Sequence, residues 1–446
     1  MASTYLTRTP SSSGNRNKWT FSGWVKRSQT SAEEVMFSAY QSNDYYTFLR
    51  FEADGTIKFR DNYTGSANLN LDTNAIYRDT SAWYHVVAVY DKDNATSADK
   101  AILYINGERV TSFSTATYPS NASTWNVDNV QKQIGSLNTG QYWNGSMSHI
   151  HFSDGYALAP TVFGETDATT GEWKIKTNPS FTLGTNGFTI LKDGNTITDQ
   201  SSNSNNFSLG GGTLTNTEDC PDNVFATLNN LDNYYSNFNL FDGNTSVGAG
   251  NGPRTYLLST MGCAPTGKYY WEIKLLGEQN QSESTSVMFG ISRKTTASST
   301  EDLTDGVASS CIINGNGQVY VEGTSAGTFG SSYLNTTVMC FAYDAINNKM
   351  YFGKDGTWLN SGDPTSGATG TGAFIPTALD GSHNNIYSPC WGVNYNSGYS
   401  SAFNFGNGYF NKTAVASAGI NASGNGIFEH DVPTGYTALS TKGLNL

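Results

Sequence analysis

Residues 338–358 read VMCFAYDAINNKMYFGKDGTW. The run 338–343 is apolar and aromatic, long enough for a strand and too short for a helix. Asp344 follows, and then Asn347 and Asn348, which tolerate the backbone angles of a tight turn. Residues 349–352 form a second short strand, Gly353 and Gly356 bracket a further turn, and Trp358 closes the unit. This is a β-hairpin with an aromatic anchor. The pattern occurs upstream as well: YHVVAVYD at 84–91, a polar loop at 92–100, then AILYINGERV at 101–110. Each copy runs strand, Tyr-Asp, polar turn, strand with a Tyr, and a Gly turn, Asn106-Gly107 in one and Asp355-Gly356 in the other. Two copies far apart predict two related sandwich domains and not a solenoid.

The bulk numbers agree with an all-β chain. At 446 residues there is material for several cores. Charged residues make up only 14 %, so the polar surface comes from Ser, Thr, Asn and the 47 Gly, residues that favour turns and strand edges. No stretch combines helical periodicity with caps. Lys and Arg number 25 against 37 Asp and Glu, a net charge of −12. An acidic chain repels phosphate backbones, which argues against nucleic acid as a partner. No apolar run approaches membrane-spanning length, and MASTYLTRTPSSSG at the start lacks the apolar core of a signal peptide, so neither membrane insertion nor export is expected. Five widely spaced cysteines (Cys220, Cys263, Cys311, Cys340, Cys390) include no CxxC pair and cannot all pair within one chain. They read as buried free thiols of a protein made in a reducing cytosol.

Taken in order, 1–165 forms the first unit. WTFSGWVKR at 19–27 alternates, with Trp19, Phe21 and Val25 on one face. Residues 47–60 hold a hairpin with Asp54-Gly55 at its turn. GSMSHIHFSDG at 145–155 closes the sandwich, with Ile150 and Phe152 inward. Residues 166–222 form a connector rich in Gly, Asn, Ser and Thr, and the short apolar pieces around Trp173 and Phe188 predict a partly packed bridge. In the second unit, 223–410, Tyr269, Trp271 and Ile273 share one strand face. Residues 411–446 form a C-terminal extension.

WTFSGWVKR, WYHVVAVYD, LYINGERV and IGSLNTGQYWNGSMSHIHFSDGYAL together resemble the laminin-G/concanavalin-A-like lectin fold over most of 1–165. GKYYWEIKL, FGISR, VMCFAYD, KMYFGKDGTW, PCWGV and AFNFG, in that order, resemble a SPRY domain over 223–410. The expected fold is therefore two tandem antiparallel β-sandwiches of jelly-roll, concanavalin-A-like type with a loop-rich bridge. The wording of 5–28 and 155–165 is similar to large proteins of tailed bacteriophages, marine ones especially. That resemblance implies a virion structural protein, a tail fibre, appendage or capsid decoration subunit made in the host cytoplasm. Its partners would be other virion proteins, further copies of itself (a trimer in a fibre) and a host-surface glycan or protein. The alternative is a lectin or adhesin working alone.

Chemistry is sparse. Glycoside hydrolysis needs two carboxylates about 5–10 Å apart across a cleft. Glu33 and Glu34 are adjacent and so point to opposite faces of a strand, and Glu272 has no acidic partner on its face. No catalytic residue is assigned and the chain is not expected to be an enzyme. His149 and His151, with Asp154 nearby, are weak candidates for a metal, and two imidazoles packed on a sheet face are the plainer reading. The laminin-G resemblance implies a Ca²⁺ ion between edge loops, with Asp54, Asp61, Asp91 and Asp93 as candidates that otherwise serve as turn formers. No other cofactor is implied. Tyr142, Trp143 and Asn144 in one loop, and Tyr395 and Tyr399 in another, place aromatics beside amides. Such loops suit a sugar, whose ring stacks on aromatic faces while its hydroxyls meet amides, or else they cap a sandwich edge.

Overall fold

The computed structural model describes residues 3–192, 196–234, 238–249, 254–276, 287–293, 303–304, 310–330, 333, 337–377, 386–393 and 399–444. These divide into two compact units, 1–216 and 217–446. No helix among the described residues is long and apolar enough to cross a membrane.

The deciding hairpin forms as read. Val338–Asp344 pairs antiparallel with Lys349–Lys354, Asp344 opposite Lys349 and Met339 opposite Lys354. Asn348 takes a positive φ of 53° in the first turn, and Asp355 and Gly356 take 46° and 77° in the second. The upstream copy, Tyr84–Asp91 with Ala101–Ile105, turns at Asn106 and Gly107 with φ of 50° and 81°. Two successive positive φ angles give the turn whose twist matches that of the flanking strands, which is why Asn-Gly and Asp-Gly stand there.

In the first unit the described residues form an eight-stranded and a six-stranded antiparallel sheet. Lys18–Arg27 lies in the smaller sheet between Gly145–Asp154 and Tyr84–Asp91. Its alternation sends Trp19, Phe21 and Val25 into the core, as the pattern predicts. Trp19 stacks on Tyr90 of its own sheet at 5.4 Å and meets Phe37 and Phe59 of the facing sheet edge-on. Ile150 and Phe152 also point inward.

In the second unit the described residues form a seven-stranded and an eight-stranded sheet. Lys268–Leu276 supplies Tyr269, Trp271 and Ile273 to the core, where Trp271 stacks on Phe341 of the deciding hairpin at 5.5 Å. Trp391 and Phe289 come from the facing sheet. All five cysteines are free; four are buried and Cys220 is half-buried. The fold is thus two tandem β-sandwiches.

Two segments belong more closely to the sandwiches than their composition suggests. The connector packs within the first unit. Phe188–Ile190 extends the six-stranded sheet beside Gly145–Asp154, and Ser208–Gly211 extends the other sheet beside Tyr5–Arg8. Phe188, Ile190 and Phe207 lie in the main core. Trp173 lies against Gly107, where a Cβ would come within 2.5 Å of the indole. It stacks on His85 at 5.9 Å, and His85 stacks on Trp24 at 4.8 Å. The indole N–H donates to His85 Nδ1, so His85 Nε2 carries the proton and donates to Ser22 Oγ. Burial holds this neutral imidazole down to about 3. The C-terminal extension packs in the same way on the second unit. Thr437–Ala438 runs parallel to Lys268–Leu276, and Phe428, Val432 and Tyr436 cover Tyr270 and Tyr351.

Candidate functional site

The loop holding Tyr142, Trp143 and Asn144 is built for packing. Asn138 and Thr139 take positive φ angles of 47° and 59°, and Leu137 and Gly140 bond reciprocally around them. This tight turn sends Trp143 back into the sandwich, where it is 6 % exposed, its ring 5.9 Å from Phe51 and its backbone N–H donating to Gly135 O. Tyr142 lies tilted on Tyr5 at 5.8 Å and its hydroxyl donates to Thr139 O. Asn144 O accepts from Ser28 N. Gln141 donates to Glu33 and accepts from Arg50 Nη1, which pins the loop on its other flank. The expectation of an aromatic sugar platform here is corrected for Trp143: its face is spent in the core. In the second loop Tyr399 is 3 % exposed and also belongs to the core, so its ring is closed to a ligand. Tyr395 lies outside the described residues.

The histidine pair is not a metal centre as drawn from the sequence. A bulge at His149 (φ 50°) leaves the two rings 6.2 Å apart. His149 Nδ1 bonds Ser148 Oγ, and His151 Nδ1 bonds Thr189 Oγ1. His151 stacks on Phe163, and burial with the nearby imidazoles holds it well below the usual histidine range. Asp154, three residues on, points to the opposite face of the strand. There it accepts from Asn15 N, Asn126 Nδ2 and Asn186 N. Among the described residues no group of three or more His, Cys, Asp and Glu is placed to hold a metal ion.

The four calcium candidates are dispersed. Asp54 accepts from the backbone and hydroxyl of Thr56 in its own turn. Asp61 is not a loop residue at all: it sits in the strand Ile57–Tyr63, fully buried, and accepts from Thr47, Asn68, Ser123 and Thr124. Asp91 ends Tyr84–Asp91 and pairs with Lys18 at 3.0 Å, and Asp93 accepts from Asn17. Each carboxylate already has its donors.

The remaining buried carboxylates are structural. Glu34 pairs with Arg27 at 2.8 Å, both side chains fully buried, with the guanidinium over the Phe51 ring. Desolvation outweighs that pairing and raises Glu34 to about 7. Glu272 accepts from Tyr270 Oη, Asn404 Nδ2 and the backbone N–H groups of Glu429 and His430, at 2.8 to 3.1 Å. It holds the C-terminal extension on the sheet, and burial again raises it to about 7.

A cavity of about 430 Å³ opens where Tyr5–Arg8 meets residues 204–208, lined by Thr, Ser and Asn side chains and Arg8. Its walls are about 200 residues apart in sequence, so no local motif marks it.

Comparison with known proteins divides the chain in the same way. Residues 2–162 match the family model of the concanavalin A-like lectin/glucanases superfamily, and 268–392 match that of the SPRY domain. No curated protein matches. Among solved structures, the SPRY domain of human HERC1 is 16 % identical with a TM-score of 0.32, over 40 % of this chain and 96 % of that one. A heptameric SAP-like pentraxin from Limulus polyphemus is 19 % identical at 0.27, over 35 % and 71 %. The PSpry domain of TRIM65 is 12 % identical at 0.28, over 40 % and 91 %.

Proposed function

We propose that this tandem of a concanavalin A-like sandwich and a SPRY sandwich is a non-catalytic attachment and assembly subunit, and that it serves as a structural protein of a tailed-phage particle. The observation that carries the non-catalytic reading is the fate of the carboxylates. Glu34, Glu272, Asp61 and Asp154 all accept hydrogen bonds that hold structure together, so none is free to face a partner across a cleft. The virion reading rests on the resemblance of 5–28 and 155–165 to phage proteins. Exposed Ile346 in the hairpin turn and Ile375 on the neighbouring segment, which Asn348 Nδ2 ties down through Pro376 O, supply apolar contact area for a protein neighbour. The subunit would be made in the host cytoplasm and incorporated as a homo-oligomer, a trimer if it builds a fibre.

Immunogold labelling and quantitative mass spectrometry of purified particles test this reading. The expected result is a fixed copy number at one location on head or tail. Absence from particles, with the free protein binding a glycan array, would favour a lectin acting alone. The polar cavity beside Arg8 is the observation that keeps this second reading in view.

A further inference from the structure

We propose that the cavity between Tyr5–Arg8 and residues 204–208 is a binding site for a sugar unit that carries a carboxylate. The proposal deepens the attachment reading and depends on it only for its biological purpose.

The lining sets the ligand class. Thr7, Thr9, Ser11, Ser204 and Ser208 offer hydroxyl groups, Asn206 offers an amide and Arg8 a guanidinium, and no carboxylate or aliphatic side chain lines the wall. Such a surface matches sugar hydroxyls, which both donate and accept. A volume of about 430 Å³ holds one or two sugar rings.

The charge balance selects an acidic sugar over a neutral one. Arg8 Nη2 donates to Asn186 Oδ1 and Asn205 Oδ1, both neutral acceptors, and Arg8 forms no ion pair among the described residues. Across the sheet it stands directly opposite Lys132, a juxtaposition of like charges that costs stability. Arg16 is a third cation in this neighbourhood, and its Nε donates to Ser123 O. Lys132 Nζ donates to Val127 O and lies over the Trp125 ring, and burial with Arg8 and Arg16 beside it brings it down to about 7. The nearest acids are Asp199, whose charge acts on Arg8, and Asp128, whose charge acts on Lys132. Asp199 accepts from the backbone of Thr189, Ser201 and Asn205, and Asp128 accepts from Ser13 and Asn129. A chain of net charge −12 thus sets three cations, Arg8, Lys132 and Arg16, against two carboxylates beside a hydroxyl-lined cavity. A guanidinium fork takes a carboxylate through two parallel N–H···O bonds, which fixes the sugar ring as well as its charge.

The full chain would be titrated calorimetrically with trigalacturonate, an alginate trimer and sialyllactose. Methyl-esterified trigalacturonate, lactose and inorganic phosphate are the controls. At least one carboxylate sugar is expected to bind, with its neutral counterpart at least ten-fold weaker. Arg8→Gln should weaken binding ten-fold or more. Ser208→Trp, which fills the mouth and leaves Arg8 intact, should do the same, and it decides the matter if Arg8→Gln does not fold. Binding by none of the three acids, equal binding of ester and acid, or insensitivity to Ser208→Trp would each overturn the proposal. Phosphate binding as tightly as the sugar would reduce the site to a simple anion hole and overturn it too. These outcomes are separable from the particle test: a chain absent from particles can still bind uronates, and a particle subunit can bind none.

Discussion

Glu272 shows how a single residue gains its role from distant chain. Its strand position is legible in GKYYWEIKL, and so is the lack of an acidic partner. The backbone donors that claim it, at Glu429 and His430, lie more than 150 residues away and leave no local signal. Its folded-state value, about 7, exceeds the ordinary 4.5. The folded protein therefore binds a proton that the unfolded chain releases between those values. The stabilisation is full below about pH 4.5 and is lost as pH rises through about 7. We expect the stability difference between wild type and Glu272→Gln to grow in favour of wild type by about 3 kcal/mol from pH 8 to pH 4.5. Urea unfolding of the two proteins across that range measures it, and a difference that shrinks toward acid would refute the assignment. Trp143 carries the converse lesson. Its loop is rich in Asn and Gly, so composition suggests an exposed platform, but the positive φ angles at 138 and 139 turn the indole inward. Trp143→Ala should cost about 3–5 kcal/mol of stability, as for other large core truncations, and leave uronate binding unchanged. Denaturant midpoints and calorimetry of the same variant check both halves.

At the level of elements, the hairpins were legible because strand periodicity and turn chemistry are local. The seats of 166–216 and 411–444 were not, because the apolar pieces that dock are three residues long and flanked by loop-forming residues. Phe188–Ile190 shows no alternation long enough to read, and it becomes a strand by pairing with Gly145–Asp154. The candidate site was illegible for the same reason, since Arg8 and Asn205 meet only after this segment docks. Gly107 is the exception that local sequence half revealed. The turn needs its positive φ, and the approach of Trp173 needs its bare Cα. Gly107→Ala should destabilise the first unit by at least ~1 kcal/mol, since it meets both backbone strain and the indole. Limited proteolysis is expected to cut 165–176 faster in the variant. Equal protection would mean that Trp173 is not what seats this segment.

For the whole molecule, the boundary between units decides what can fold alone. Reading composition, one would cut after 165 and before 223, and again after 410. Packing cuts once, at 216. A chain ending at 165 loses Phe188, Ile190 and Phe207 from its core and leaves two sheet edges bare. At about 2 kcal/mol for each buried side chain, the loss is on the order of 6 kcal/mol. That is comparable to the entire stability of a typical domain, about 5–15 kcal/mol. The same holds for 223–410, which lacks Leu439 from one core and Phe428, Val432 and Tyr436 from the other, and leaves Glu272 buried without its two backbone donors. Fragments 1–216 and 217–446 are therefore expected to be soluble and to melt cooperatively. Fragments 1–165 and 223–410 should melt at least 10 °C lower or aggregate, because a few kcal/mol already shifts the midpoint of domains this size by about that much. Differential scanning calorimetry of the four fragments settles the boundary. A cooperative 1–165 fragment as stable as 1–216 would show that the connector merely decorates a sandwich complete without it.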